Sequence, residues 1–246
     1  MALPYERNVF RLLLGCILIL IVMALIADGP IASWRGFLEV QTHASRLIHD
    51  FTEIAGAGGA LLNAAVMGLL ALALIRFCDT AMSGPTLAAV FTIIGFSLFG
   101  KTPLNTAPVV LGVFLASRVA RRPFGAYILM ALFGTALGPL VSFLITESGL
   151  QGAAALLAGA AAGLAAGFVL PSVSMAMLRL HEGFNLYNIG FSCGFLGLFA
   201  ASVLAATVPE DDFRLAGTGL RDTTRLAAGD PELWRQIVAG SRKNIL

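Results

Sequence analysis

Charge is scarce in this chain. Lys and Arg together number 16, Asp and Glu 14, and charged residues make up 12 % of 246, about half the share usual in soluble domains. That scarcity excludes a disordered chain and an ordinary cytosolic enzyme. A net charge of +2 excludes the electrostatic footprint of a nucleic-acid binder. Cysteine is scarcer still. Cys16, Cys78 and Cys193 form no CxxC and no Cys/His pairing, which excludes a disulfide scaffold and a zinc site; they read as small buried hydrophobes. His43 and His49 have no acidic partner at metal-ligand spacing and read as surface residues.

What is abundant is apolar sequence, 58 % of the chain. A helix that crosses a bilayer needs about 20 apolar residues. Residues 9–27, 54–75, 124–146, 150–170 and 184–208 qualify. The first follows Arg7 and Arg11, as in a signal peptide, but the later apolar runs favour an uncleaved first span. Residues 86–117 behave differently. Gly100-Lys101-Thr102-Pro103 divides them into two apolar stretches, and Pro108 interrupts the second. Each stretch is about 14 residues, or roughly 21 Å as helix, too short for a hydrocarbon core of roughly 30 Å. The pattern predicts a broken, re-entrant hairpin, which membrane proteins tolerate only where it is buried in protein or lines a wet cavity.

The expected fold is therefore all-α: a polytopic transmembrane helical bundle with a broken, re-entrant helical hairpin and an inverted repeat. Residues 1–208 form the membrane domain. Residues 209–246 form a polar amphipathic tail, read as cut short of a longer protein. Residues 28–53, with Trp34, Phe37 and Leu38 among charges, read as an interfacial amphipathic segment. Arg7, Arg11, Arg76, Arg118, Arg121, Arg122 and Arg179 all fall on one side if the hairpin enters and leaves on that side. The positive-inside rule makes it the cytoplasm, so the N-terminus is cytoplasmic and Glu147 lies outside. Gly159, Gly163 and Gly167, and Gly134 with Gly138, are spaced for close helix packing, which makes a homo-oligomer plausible as an expectation.

Residues 95–102 match the phosphate-loop pattern GxxxxGK[ST] letter for letter. The match is rejected. The loop holds Phe96, Leu98 and Phe99, Pro103 follows directly, and no strand precedes it. No cofactor is expected.

The polar residues inside the apolar body carry the functional reading. Gly58-Gly-Ala-Leu-Leu-Asn63, Gly100-Lys-Thr-Pro-Leu-Asn105 and Gly183-Phe-Asn-Leu-Tyr-Asn188 share the phrase Gly-x-x-x-x-Asn. An asparagine in hydrocarbon needs partners for two donors and an acceptor. Glycine- or proline-broken helices in related halves point to a transport site; interhelical hydrogen bonding is the alternative use. Lys101 stands at the hairpin tip, where an intramembrane cation is a functional candidate. Gly100 and Gly183 are expected to permit sharp turns.

At these residues a resemblance enters. Phe99-Gly-Lys-Thr-Pro-Leu-Asn105 and His181-Glu-Gly-Phe-Asn-Leu-Tyr-Asn-Ile-Gly-Phe191 resemble the signature segments of a bacterial membrane family catalogued as domain of unknown function 1576. The resemblance covers about residues 51–204 and implies no activity. Leu62-Asn63-Ala-Ala-Val-Met-Gly68 and residues 183–197 are more faintly similar to urea transporters, whose short pore helices meet at mid-membrane and pass small amides. Ala64-Ala65 departs from the Asn-Pro expected there.

The expected function is a channel or transporter in the bacterial inner membrane for a small polar, neutral solute. Asn63, Gly100, Lys101, Asn105, Gly183, Asn185, Tyr187 and Asn188 would form its path, and His181 and Glu182 would gate it. Two other classes stay open. One is a membrane scaffold or assembly subunit. The other is a membrane-embedded enzyme using His181 and Glu182 beside Ser172 or Ser174.

Overall fold

A computed structural model describes residues 4–43 and 50–207. The tail 209–246, residue 208 of the last expected span, and His49 lie outside them. The described residues are helical, with no strand among them. Eight α-helices follow in order: α1 (Pro4–Thr42), α2 (Phe51–Phe77), α3 (Gly84–Phe96), α4 (Pro103–Val119), α5 (Ile128–Gly134), α6 (Gly138–Thr146), α7 (Gly152–Leu180) and α8 (Asn188–Thr207). Short 3-10 turns lead into α5 and join it to α6. Four stretches are long and apolar enough to cross a membrane: Tyr5–Thr42, Phe51–Phe77, Phe124–Thr146 and Gly152–Leu180.

Two of these helices are not straight. Gly29 in α1 (φ 76°, ψ 165°) and Gly56 in α2 (φ 70°, ψ 167°) adopt a backbone essentially reserved for glycine. At Gly29 the chain folds back. Ser33 Oγ donates to the carbonyl of Ala24, nine residues earlier, at 2.8 Å, a separation of about 13 Å in a straight helix. Pro30 then occupies the first turn of the new segment, where its missing N–H costs nothing. The Asp28 carboxylate closes the junction, accepting the Gly58 N–H at 2.6 Å. Gly36 lies against Ala55 and Gly59 so closely that neither glycine has room for a Cβ. Residues 30–42 and 51–55 are thus paired arms of a helical hairpin, where the sequence predicts an interfacial segment. Asp, Arg and Glu interrupt the apolar pattern there, so the run falls below spanning length.

α3 and α4 form the second broken hairpin. α3 starts at Ser83, whose N–H donates to Thr86 Oγ1 at 2.7 Å, with Pro85 in its first turn. α4 starts with Pro103 and a capping box: Thr102 N–H donates to Asn105 Oδ1 at 2.9 Å, and Asn105 N–H to Thr102 Oγ1 at 3.3 Å. At 13 and 17 residues the two helices are about 20 and 25 Å long. They return to the end where α2 finishes: Phe114 packs edge-on against Phe124, and Gly125 lies against Cys78 and Thr80. That end also holds a cavity of about 680 Å³ lined by Arg7, Arg11, Arg76 and Asp79.

The glycine-spaced faces are used inside the chain. Gly167 abuts the Val109 carbonyl, Gly112 abuts the Leu164 carbonyl, Gly163 meets Val141 and Pro108, and Gly159 meets Ile145. This seam joins α7 to α4 and α6. It is occupied, so it gives no support to the expected homo-oligomer. Leu13, Ile17, Leu72, Ile75, Val90, Ile93 and Leu132 fill the core between α1, α2, α3 and α5. By contact, residues 1–193 form one unit; a second begins at Gly194 and takes the C-terminal part of α8.

Candidate functional site

The two hairpins come from opposite ends of α2, and the arms of the first reach the turn of the second. Phe51, at the start of the first hairpin's return arm, donates its N–H to the Leu98 carbonyl in the α3–α4 turn at 3.0 Å. Asn63 Nδ2 donates to the carbonyls of Ser97 (2.6 Å) and Lys101 (2.9 Å) in the same turn. Phe51 and Asn63 would stand about 18 Å apart in a straight helix. The break at Gly56 brings both to one turn.

Asn63 and Asn105 grip that turn from two sides. Both are fully buried. Asn63 Oδ1 accepts from Gln41 Nε2, near the end of the first arm, at 3.2 Å. Asn105 Nδ2 donates to the Gly100 carbonyl and to Ser142 Oγ, each at 2.8 Å, while its Oδ1 takes the Thr102 N–H. Every polar atom of Asn105 is therefore satisfied, as burial requires. Gly100 sits in the turn without a positive φ, and a Cβ there would meet nothing within 4 Å. The turn does not need its glycine, against the expectation.

Lys101 is 3 % exposed. Its Nζ donates to Thr135 Oγ1 at 2.9 Å and lies 5.2 Å from the centre of the Phe96 ring. No carboxylate pairs with it among the described residues. The cation is held by a hydroxyl that itself donates to the Leu132 carbonyl and by an aromatic face.

The remaining expected residues gather elsewhere, at the C-terminal end of α7. His181 Nδ1 accepts the N–H groups of Gly183 (3.2 Å) and Asn185 (3.3 Å). That leaves Nε2 as the protonated nitrogen, which donates to Asn188 Oδ1 at 2.8 Å. Asn188 Nδ2 donates to the Ser174 carbonyl at 2.9 Å. Asn185 Oδ1 accepts the Tyr187 N–H at 2.9 Å, and the Tyr187 ring packs edge-on against Phe133. Gly183 has φ 87° and does make the sharp turn its residue type suggests. Glu182 is exposed beside it. The His181 ring is thus spent on capping and helix joining, and Ser174 Oγ, buried and without a partner, receives no bond from it. No group of three or more potential metal ligands occurs among the described residues.

Sequence reasoning brings out Asn63, Lys101 and Asn105, and the structure joins them. It misses Gln41, Thr135 and Ser142, which complete the junction from distant elements. It also misses Asp28 and Gly56, which hold the first hairpin. The Gly29-Pro30 pair is the signal that finds the first break, since proline belongs in a first turn after a stop.

Broken helical hairpins entering from opposite ends of a bundle of long apolar helices define a polytopic helical membrane protein. Within that class, the family described as "Protein of unknown function (DUF1576)" matches residues 30–206. The chain belongs to this family. The prephenate dehydrogenase dimerization domain also matches residues 195–246, a stretch that lies mostly outside the described residues and begins inside α8. No curated protein and no solved structure matches the chain. The likeness to urea transporters rests on short sequence phrases alone.

Proposed function

We propose that this protein is a channel or transporter for a small polar, neutral solute. The meeting of two opposed broken hairpins at a buried polar junction carries this reading. Irregular backbone at membrane depth persists only where protein buries it or water reaches it, and paired broken helices are how many transporters build a central site. Lys101 and Gln41 supply hydrogen-bonding groups there, on a turn held in place by the fully engaged Asn63 and Asn105. Asn185, Tyr187, Asn188, His181 and Glu182 form a second polar cluster at one helix end, suited to gating. The gathering of Arg7, Arg11 and Arg76 at one end supports a cytoplasmic N-terminus in a bacterial inner membrane. The enzyme alternative is less well supported, because both ring nitrogens of His181 are engaged.

The test is flux. Protein reconstituted in liposomes is challenged with urea, formamide, glycerol and water, and volume change is followed by stopped-flow light scattering. Faster entry than in empty liposomes, abolished by Gln41→Leu in protein that still elutes as a folded species, is the expected result. No acceleration for any solute from folded protein would sink the proposal.

A further inference from the structure

The first arm of the first hairpin has three faces. Ser33, Gly36 and Val40 are buried against α2. Ile31, Trp34 and Leu38 form an apolar stripe, 69 %, 53 % and 48 % exposed, as lipid contact requires. On the third face Arg35 and Glu39, one helical turn apart, stand exposed beside Asp28. These three charges line a groove of about 450 Å³ with Gly36 and Ala55, and Ile31 forms its edge with the apolar stripe. Neither Arg35 nor Glu39 makes an ion pair among the described residues. The arm then ends at Gln41, whose Oε1 is buried with no partner, while its Nε2 reaches Asn63 at the hairpin junction.

Unpaired charges on a helix that carries its own lipid-facing stripe must face water. The charged stripe begins at the break at Gly29 and runs toward the junction. We infer that this groove is the aqueous mouth of the path, and that it takes small solutes carrying both an N–H donor and an oxygen acceptor, as amides and amino acids do. The inference rests on the solute-path reading and adds the entrance and the solute class. Acceptors predominate along the groove: the Glu39 carboxylate and the Asp28 oxygen that Gly58 leaves free. They call for N–H groups. Arg35 is the donor that meets the solute's oxygen.

Two measurements on the full chain test it. In a background of Cys16→Ser, Cys78→Ser and Cys193→Ala, single cysteines replace Arg35, Glu39, Trp34 and Leu38, and each variant in liposomes meets a charged, membrane-impermeant methanethiosulfonate. Arg35→Cys and Glu39→Cys should react about tenfold faster or more than Trp34→Cys and Leu38→Cys, as a wetted face beside a lipid-facing one demands. Equal reaction at all four means an arm lying flat on the surface. Reaction at none means a groove covered by lipid or a second copy. Either result overturns the inference whatever the flux shows. In the flux assay, formamide, urea and glycine should pass faster than glycerol, and Glu39→Leu should slow them by about tenfold, the loss of one charged hydrogen bond. Flux that survives Arg35→Gln and Glu39→Leu unchanged overturns the entrance while leaving the transport reading intact. Wetted labelling without flux for any solute overturns the solute class together with that reading.

Discussion

The first hairpin, with arms 30–42 and 51–55, and the second, α3 with α4, reach the same junction by different chemistry. The second has apolar arms and a polar tip. The starts of its helices are set by prolines and capping boxes, devices that begin helices without unusual backbone. The first carries charge along one arm and turns at two glycines in a conformation other residues avoid. The helix starts of the second hairpin are therefore specified locally, by short-range hydrogen bonds, while its turn is gripped from α2 and α6. The other is specified by contacts: Asp28 on Gly58, Ser33 on Ala24, Gly36 on Gly59. A hairpin built on local caps can be wholly apolar. One held by close approach needs small residues on its inner face and is free to place charge on another.

Substitutions can break this contrast at graded cost. Asn105→Leu should do most damage, because it strands the Thr102 N–H and the Gly100 carbonyl in a buried tip; a loss of about 3 kcal/mol is expected, read as a lowered unfolding midpoint in detergent. Gly112→Val comes next. Its side chain would collide with the Leu164 carbonyl and prise the α4 arm from α7, costing about 2 kcal/mol. A normal midpoint would show that the seam yields more easily than its contacts imply. The sharpest comparison is Gly56→Ala with Gly100→Ala. The first forces alanine into a glycine-only backbone beside Asp28 and should cost about 1–2 kcal/mol. The second should stay within about 0.5 kcal/mol of wild type. Equal effects from the two would refute the local-versus-contact distinction.

This contrast also explains what was legible. Gly100-Lys101-Thr102-Pro103 interrupts a long apolar run, so the second hairpin can be read from pattern alone. The first hides because Asp28, Arg35, Glu39 and Glu53 dilute its hydrophobicity, and an arm with one lipid stripe and one wet stripe resembles an interfacial helix. The burial of Asn63 and Asn105 follows from their setting, but their partners do not. The distant ones are main-chain carbonyls 34 and 38 residues away for Asn63 and the Ser142 hydroxyl 37 residues away for Asn105, and no side-chain spacing reports them. The glycine spacing of α7 correctly announces a close contact; which helix fills it is a matter of tertiary structure.

The clasp between Asn63 and the Lys101 carbonyl spans 38 residues of chain. A ribosome adding 5–20 residues per second takes about 2–8 s to make that much. During that interval Asn63 has no turn to clasp, and the first hairpin waits beside it. Its charged arm gives it a tolerable waiting place among the lipid headgroups, from which it can be drawn inward once the second turn emerges. The order of synthesis thus makes the segment's amphipathic character an asset to biogenesis, quite apart from any use it has in the finished protein.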